Sequence, residues 1–169
     1  MRTLRVVLAG AVVALIGATP MVALAQDEAE PAPPLKVTGT GECHMTTEGA
    51  TTTGSDGVER YADHVSGCVY DTDDGRLSGA FDLTFDMDCY PTGGCLYWAS
   101  PQWPGPDGWE GEGRGWISET GEGYQVIVWT GTGANEGLTY VDGGANDLSG
   151  DVAIHGVLYE GPPPALMTQ

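Results

Sequence analysis

The stretch Leu77 to Cys89 constrains the fold more than any other. Leu77, Gly79, Phe81, Leu83, Phe85, Met87 and Cys89 fall on one parity, and Ser78, Ala80, Asp82, Thr84, Asp86 and Asp88 on the other. Successive side chains of a β-strand point to opposite faces, so this reads as one long half-buried strand with an acidic wet side. Its 13 positions exceed the usual strand of about 5–6 residues, which suits a hairpin-rich sheet or barrel. Asp73-Asp74-Gly75 just before it is a tight-turn signal, and Val58 to Tyr70 supplies the expected partner strand.

Further strands are expected at Lys36–Met45, Trp109–Ser118, Tyr124–Gly131, Leu138–Asp142 and Leu148–Glu160. Between them stand turn signals: Glu119-Thr-Gly-Glu-Gly123, Gly131-Thr-Gly133 and Asp142-Gly-Gly-Ala-Asn-Asp147. No stretch shows ten or more residues of helical periodicity with caps. Glycine is abundant, at 27 residues, and glycine inside strands marks bulges, bends or close backbone approach. The expected fold is all-β, an antiparallel barrel of about seven or eight strands, with a β-sandwich as the alternative.

The first 25 residues read as an export signal. Met1-Arg-Thr-Leu-Arg5 is basic, Val6–Ala18 is apolar, and Ala23-Leu24-Ala25 is a small-x-small ending. The apolar run is too short for a spanning helix, which needs about 20 residues, and cleavage is expected after Ala25. Residues 26–34 are acidic and proline-rich and read as a flexible linker. A single domain is expected over 35–161 and a flexible tail over 162–169.

All four cysteines, Cys43, Cys68, Cys89 and Cys95, lie beyond the signal, and an even count in an exported chain reads as two disulfides. Cys89-Tyr-Pro-Thr-Gly-Gly-Cys95 looks like a turn pinned by its own bridge, leaving Cys43 for Cys68. A metal site with His44 is the rival, but no Cys-x-x-Cys or His-x-x-x-His spacing is present.

Beyond residue 25 the chain carries 4 basic residues against 24 acidic ones, a formal charge of −20. Phosphate binding needs a positive patch, so nucleic acid is excluded as a partner, and an anionic membrane surface is disfavoured. Stable membrane insertion is not expected.

Trp109-Glu-Gly-Glu-Gly-Arg-Gly-Trp116 is the most unusual stretch. On a strand, Trp109, Gly111, Gly113, Gly115 and Ile117 share one side, while Glu110, Glu112, Arg114 and Trp116 share the other. The carboxylates' anchor points would sit roughly 6.6 Å apart, but glycosidase pairs normally flank a substrate from different elements. An exposed charged face, with Arg114 offsetting repulsion, is the better reading. Four of the five tryptophans (Trp98, Trp103, Trp109, Trp116) surround Ser100-Pro-Gln-Trp-Pro-Gly-Pro-Asp-Gly108. They are the ligand-binding candidates, as rings that stack on a sugar or cover a cavity mouth. Closure of the barrel end as core is the commoner use of tryptophans and the reading favoured over binding.

Asp71-Thr-Asp73-Asp74-Gly75 misses the calcium-loop spacing by one residue and lacks the bidentate Glu, so it reads as a hairpin turn. His44, His64 and His155 are scattered without metal spacing. Neither a serine nucleophile elbow nor a phosphate-cradling loop is present. No catalytic residue, metal or cofactor is assigned.

Gly131-Thr-Gly133-Ala-Asn-Glu-Gly137-Leu-Thr-Tyr140, after the apolar strand Val126-Ile-Val-Trp129, resembles the Gly-Ser/Thr-Gly-x-aromatic-x-Gly segment of the allene oxide cyclase and dirigent barrel superfamily. The similarity covers residues 120–158. It implies an eight-stranded antiparallel barrel with an internal pocket, in a family where some members cyclise a fatty-acid epoxide and others steer phenolic radical coupling. Asn135 stands where the family carries an aromatic, and no active-site residue transfers.

One function is therefore expected first, with two alternatives. The first is a secreted non-catalytic binding module for a small apolar or aromatic ligand. The second is a cyclase- or isomerase-like enzyme, and the third a carbohydrate- or cell-envelope-binding domain using the tryptophan loop. An apolar cavity favours the first two, and a buried unpaired acid inside it the second. A filled barrel with tryptophans on its outside favours the third.

Overall fold

A computed structural model describes residues 32–146 and 150–166. The expected export signal and most of the linker lie outside the described residues. Nine strands are present among those described: β1 (Leu35–Thr47), β2 (Ala50–Thr53), β3 (Glu59–Thr72), β4 (Gly79–Cys89), β5 (Cys95–Gln102), β6 (Trp109–Ile117), β7 (Gly123–Gly131), β8 (Leu138–Asn146) and β9 (Asp151–Glu160). Every pairing is antiparallel. The sheet runs β1-β9-β8-β7-β6-β5-β4-β3-β2, and a β1–β3 ladder from Gly39↔Thr72 to Thr47↔Val65 closes it. The result is an eight-stranded barrel with β2 as an extra strand, continuing the path of β1 along the first residues of β3.

The two-residue rhythm of β4 holds. Phe81 is in the core, and Ala80, Asp82, Thr84 and Asp86 are exposed. The strand starts at Gly79 rather than Leu77, because a short 3-10 turn (Gly75–Leu77) precedes it. The Asp74 carboxylate accepts from the Arg76 backbone N–H at 3.0 Å and from its guanidinium, so the turn is held by its own side chains.

Three expectations need correction. β2 lies outside the expected strands, since Ala-Thr-Thr-Thr is exposed throughout and carries no apolar alternation. β5 lies outside the expected strands as well, and it takes Ser100–Gln102 out of the expected loop, leaving only 103–108. Asp142-Gly-Gly is not the expected turn, because β8 runs through it to Asn146. β9 begins at Asp151, so Leu148 falls in the 147–149 segment outside the described residues.

Both disulfides join residues that face each other across a ladder: Cys43–Cys68 between β1 and β3, and Cys89–Cys95 between β4 and β5. No cysteine is free. The inward glycines make room for large rings. A Cβ on Gly156 would stand 2.4 Å from the Tyr140 ring, and one on Gly115 2.3 Å from that of Tyr97. Several of the aromatics that fill the barrel, Tyr70, Tyr97, Trp129 and Tyr140 among them, thus lie across a neighbouring glycine.

Candidate functional site

The two ends of the barrel differ. The end carrying the β3–β4, β5–β6 and β7–β8 connections is plugged by aromatic packing. Phe81 meets Tyr70 edge-on at 4.8 Å between ring centroids, Trp103 at 5.0 Å and Trp129 at 5.2 Å. Trp103 therefore folds inward from its loop as a lid on the core. Trp109 is only 1% exposed and its indole N–H donates to the Arg76 carbonyl at 2.8 Å. Two of the four candidate tryptophans are therefore packed with the barrel's aromatic core.

At the opposite end, with the Cys89–Cys95 turn and the β6–β7 turn, no such plug occurs among the described residues. The inward residues Leu83, Phe85, Met87 and Ile117 stay half-buried there. With Tyr97 and Val152 they enclose an apolar cup of about 130 Å³. Gln125 also contributes to its wall. The Tyr97 hydroxyl donates to Gln125 Oε1 at 2.7 Å, and Gln125 Nε2 reaches toward the Tyr70 hydroxyl at 3.5 Å. This pair is the polar element of an otherwise greasy site. Sequence reasoning missed it, although the parity of β7 places Gln125 with the core residues Ile127 and Trp129.

Below the cup lies a carboxyl group. Asp142 is opposite Ile127, two residues farther along β8 toward the plug than Gly144, which faces Gln125. It is 1% exposed. The Trp129 indole donates to Oδ2 at 3.0 Å, whereas Oδ1 has no partner. Burial pushes its pKa up to about 7, against smaller lowerings by the Trp129 indole N–H and then the Ile127 backbone N–H. The Tyr70 hydroxyl is pushed well up by burial and then by the Asp142 charge, and that of Tyr140 moves in the same direction for the same reasons. Asp142 does not line the cup.

The other two candidate tryptophans stand on the outer wall. Trp98 on β5 is 39% exposed and Trp116 on β6 49%. Trp98 faces Arg114 across the ladder, and Leu96 faces Trp116, which in turn faces Tyr124 on β7. A groove of about 450 Å³ runs over Leu96, Trp98, Arg114, Trp116, Tyr124 and Val126. The tryptophan surface is therefore on strands, not on the proline-stiffened loop.

The remaining motifs resolve as follows. Glu110 and Glu112 project from the outer wall onto a shallow groove bordered by the C-terminal segment 163–166. Asp73 is occupied in the turn, accepting from the Thr38 N–H and hydroxyl, both at 3.0 Å. His44 bonds Glu42 at 2.8 Å, and His64 is buried between Tyr61 and Phe85 with both ring nitrogens unpartnered. Asn135 is buried, and its amide donates to the Asp107 carbonyl at 2.8 Å. No cluster of three or more potential metal ligands occurs among the described residues. No protein-family model, curated protein or solved structure matches this chain.

Proposed function

We propose that this is an exported, non-catalytic binding module that takes a small apolar or aromatic ligand into the unplugged end of its barrel. The observation that carries the reading is the cup itself. Large apolar side chains at inward positions are left half-open to solvent at one end and covered at the other. Its size, about 130 Å³, is close to that of apolar cavities of about 150 Å³ that hold a benzene-sized guest. Gln125 and Tyr97 offer such a guest one oriented polar contact, the usual design of a small-molecule site. The paired cysteines support an oxidising, extracytoplasmic compartment.

A cyclase or isomerase would need an acid in contact with the guest. Asp142 is the buried acid of the barrel, but it lies deeper than the cup's wall and is tied to Trp129. This favours binding over catalysis.

Toluene and phenol are suitable probes, with thermal unfolding and titration calorimetry as readouts. Both should raise Tm, and a guest at 100 times its Kd adds about 2.7 kcal/mol. Phenol should bind more tightly, and lose that advantage in Gln125→Leu. Ile117→Trp, which fills the rim, should abolish both responses while leaving the circular dichroism spectrum intact. Absence of any shift in the folded wild type, or an equal shift in the filled variant, refutes the reading.

A further inference from the structure

We propose that the outer wall of β5–β7 is a second, independent binding site, for an uncharged oligosaccharide. Trp98, Trp116 and Tyr124 stand on three neighbouring strands with their side chains exposed. Trp116 and Tyr124 are directly opposite each other, where side-chain anchors lie about 4.5–5.5 Å apart. Trp98 is the diagonal neighbour of Trp116, at about 7–8 Å. The three therefore form a slanted row of rings on a rigid sheet. Tyr124 extends over Gly143, where an added Cβ would come within 2.2 Å of its hydroxyl, so the next strand supplies no bulk to cover the platform. Monomeric proteins rarely expose contiguous large apolar groups without a use for them.

The polar groups around the rings select the occupant. Asp86 faces Trp98 from β4, and Asp88 faces Leu96. Arg114 faces Trp98 from the other side. Arg60 and Arg76 are each held by an aspartate, at 2.7 and 2.5 Å, whereas Arg114 makes no ion pair among the described residues. An anionic partner would be repelled by Asp86, Asp88 and the formal −18 of the whole chain. A second copy of this chain meets the same repulsion. A cationic partner would meet Arg114 in the middle of the face. A wholly apolar partner would strip water from the guanidinium without replacing its hydrogen bonds. An uncharged sugar chain meets none of these objections. Its C–H faces lie on the rings, and its hydroxyls donate to the carboxylates and accept from Arg114. The cup faces the barrel interior and this platform faces outward, so the two sites do not share an entrance.

Affinity electrophoresis of the full exported protein tests this, through gels containing hydroxyethylcellulose, xylan or laminarin, with alginate as the anionic control. At least one neutral polysaccharide should retard migration and alginate should not. Trp98→Ala and Trp116→Ala should each weaken binding about tenfold, the usual effect of truncating an aromatic anchor. Arg114→Gln should weaken it less. Ile117→Trp, which blocks the cup, should leave it unchanged, so failure of the cup and failure of the platform are told apart. Should Trp116→Ala not fold, Trp98→Ala and Tyr124→Ala read the same row. Retardation by none of the neutral gels, retardation that survives Trp98→Ala with Tyr124→Ala, or preference for alginate each overturns the proposal. So does a concentration-dependent dimer in sedimentation that Trp98→Ala abolishes, because the platform would then serve self-association.

Discussion

Asp142 carries its carboxyl into the middle of an apolar barrel, and burial raises its pKa from 3.8 to about 7. The folded chain keeps a proton there that the unfolded chain releases between those two values. Stability linked to this group is therefore fully present below about pH 4, declines as pH rises toward about 7, and is level above that. The full decline is on the order of 4 kcal/mol, since one pKa unit corresponds to about 1.4 kcal/mol. Asp142→Asn keeps an acceptor for the Trp129 indole and removes the titration. Urea midpoints measured at pH 4.5, 6 and 8 should fall in the wild type, and the difference between the two proteins should shrink toward low pH. Parallel profiles would show that the carboxyl titrates normally. The same residue shows where sequence legibility stopped. Asp-Gly-Gly is a strong turn signal because those residues tolerate tight backbone, but here the glycines are strand positions. Gly143 leaves space for Tyr124 and Gly144 for Val152, so local chemistry pointed to a turn and packing made a strand.

At the scale of elements, β4 was readable because its parity is unbroken. Phe81 sits at 3% exposure among Tyr70, Trp103 and Trp129, so Phe81→Asp should unfold the domain at room temperature, a cost of several kcal/mol. Asp82→Asn, on the wet face, should stay within about 0.5 kcal/mol. Equal tolerance in urea denaturation would invalidate the assignment of faces. β5 lacked such a pattern. Cys95-Leu-Tyr-Trp98 is large on both faces, since Tyr97 fills the interior while Trp98 lies outside. Pro101, which has no N–H to give, interrupts pairing with β6 between Ala99↔Gly113 and Gln102↔Glu110. The parity of β6 did place Trp109 inside and Trp116 outside, and the outer platform was legible to that extent. The two bridges differ in loop length, 25 residues of separation against 6. On the loop-entropy account, Cys43→Ala/Cys68→Ala should cost about 3.5 kcal/mol and Cys89→Ala/Cys95→Ala about 2.4 kcal/mol. The reverse order in denaturant titrations would show that rim packing, not chain constraint, sets the difference.

The whole molecule combines a closed barrel with 24 acidic and 6 basic residues. Like charges on the wall repel more at low ionic strength, where screening extends about 30 Å, than in 1 M salt, where it is about 3 Å. Raising sodium chloride from 10 mM to 1 M should therefore stabilise the fold by about 1 kcal/mol, a few degrees in Tm. A midpoint that falls instead would mean that ion pairs such as Arg60–Asp56 outweigh the repulsion.

The closed ring leaves one loose flank. Among the described residues β2 is paired with β3 alone, and its four residues are Ala-Thr-Thr-Thr. An edge that short gives an incoming strand little to template on, and it offers no greasy row to hold one in place. In crowded or drying surroundings, where longer exposed borders nucleate fibrils, this chain should remain dispersed.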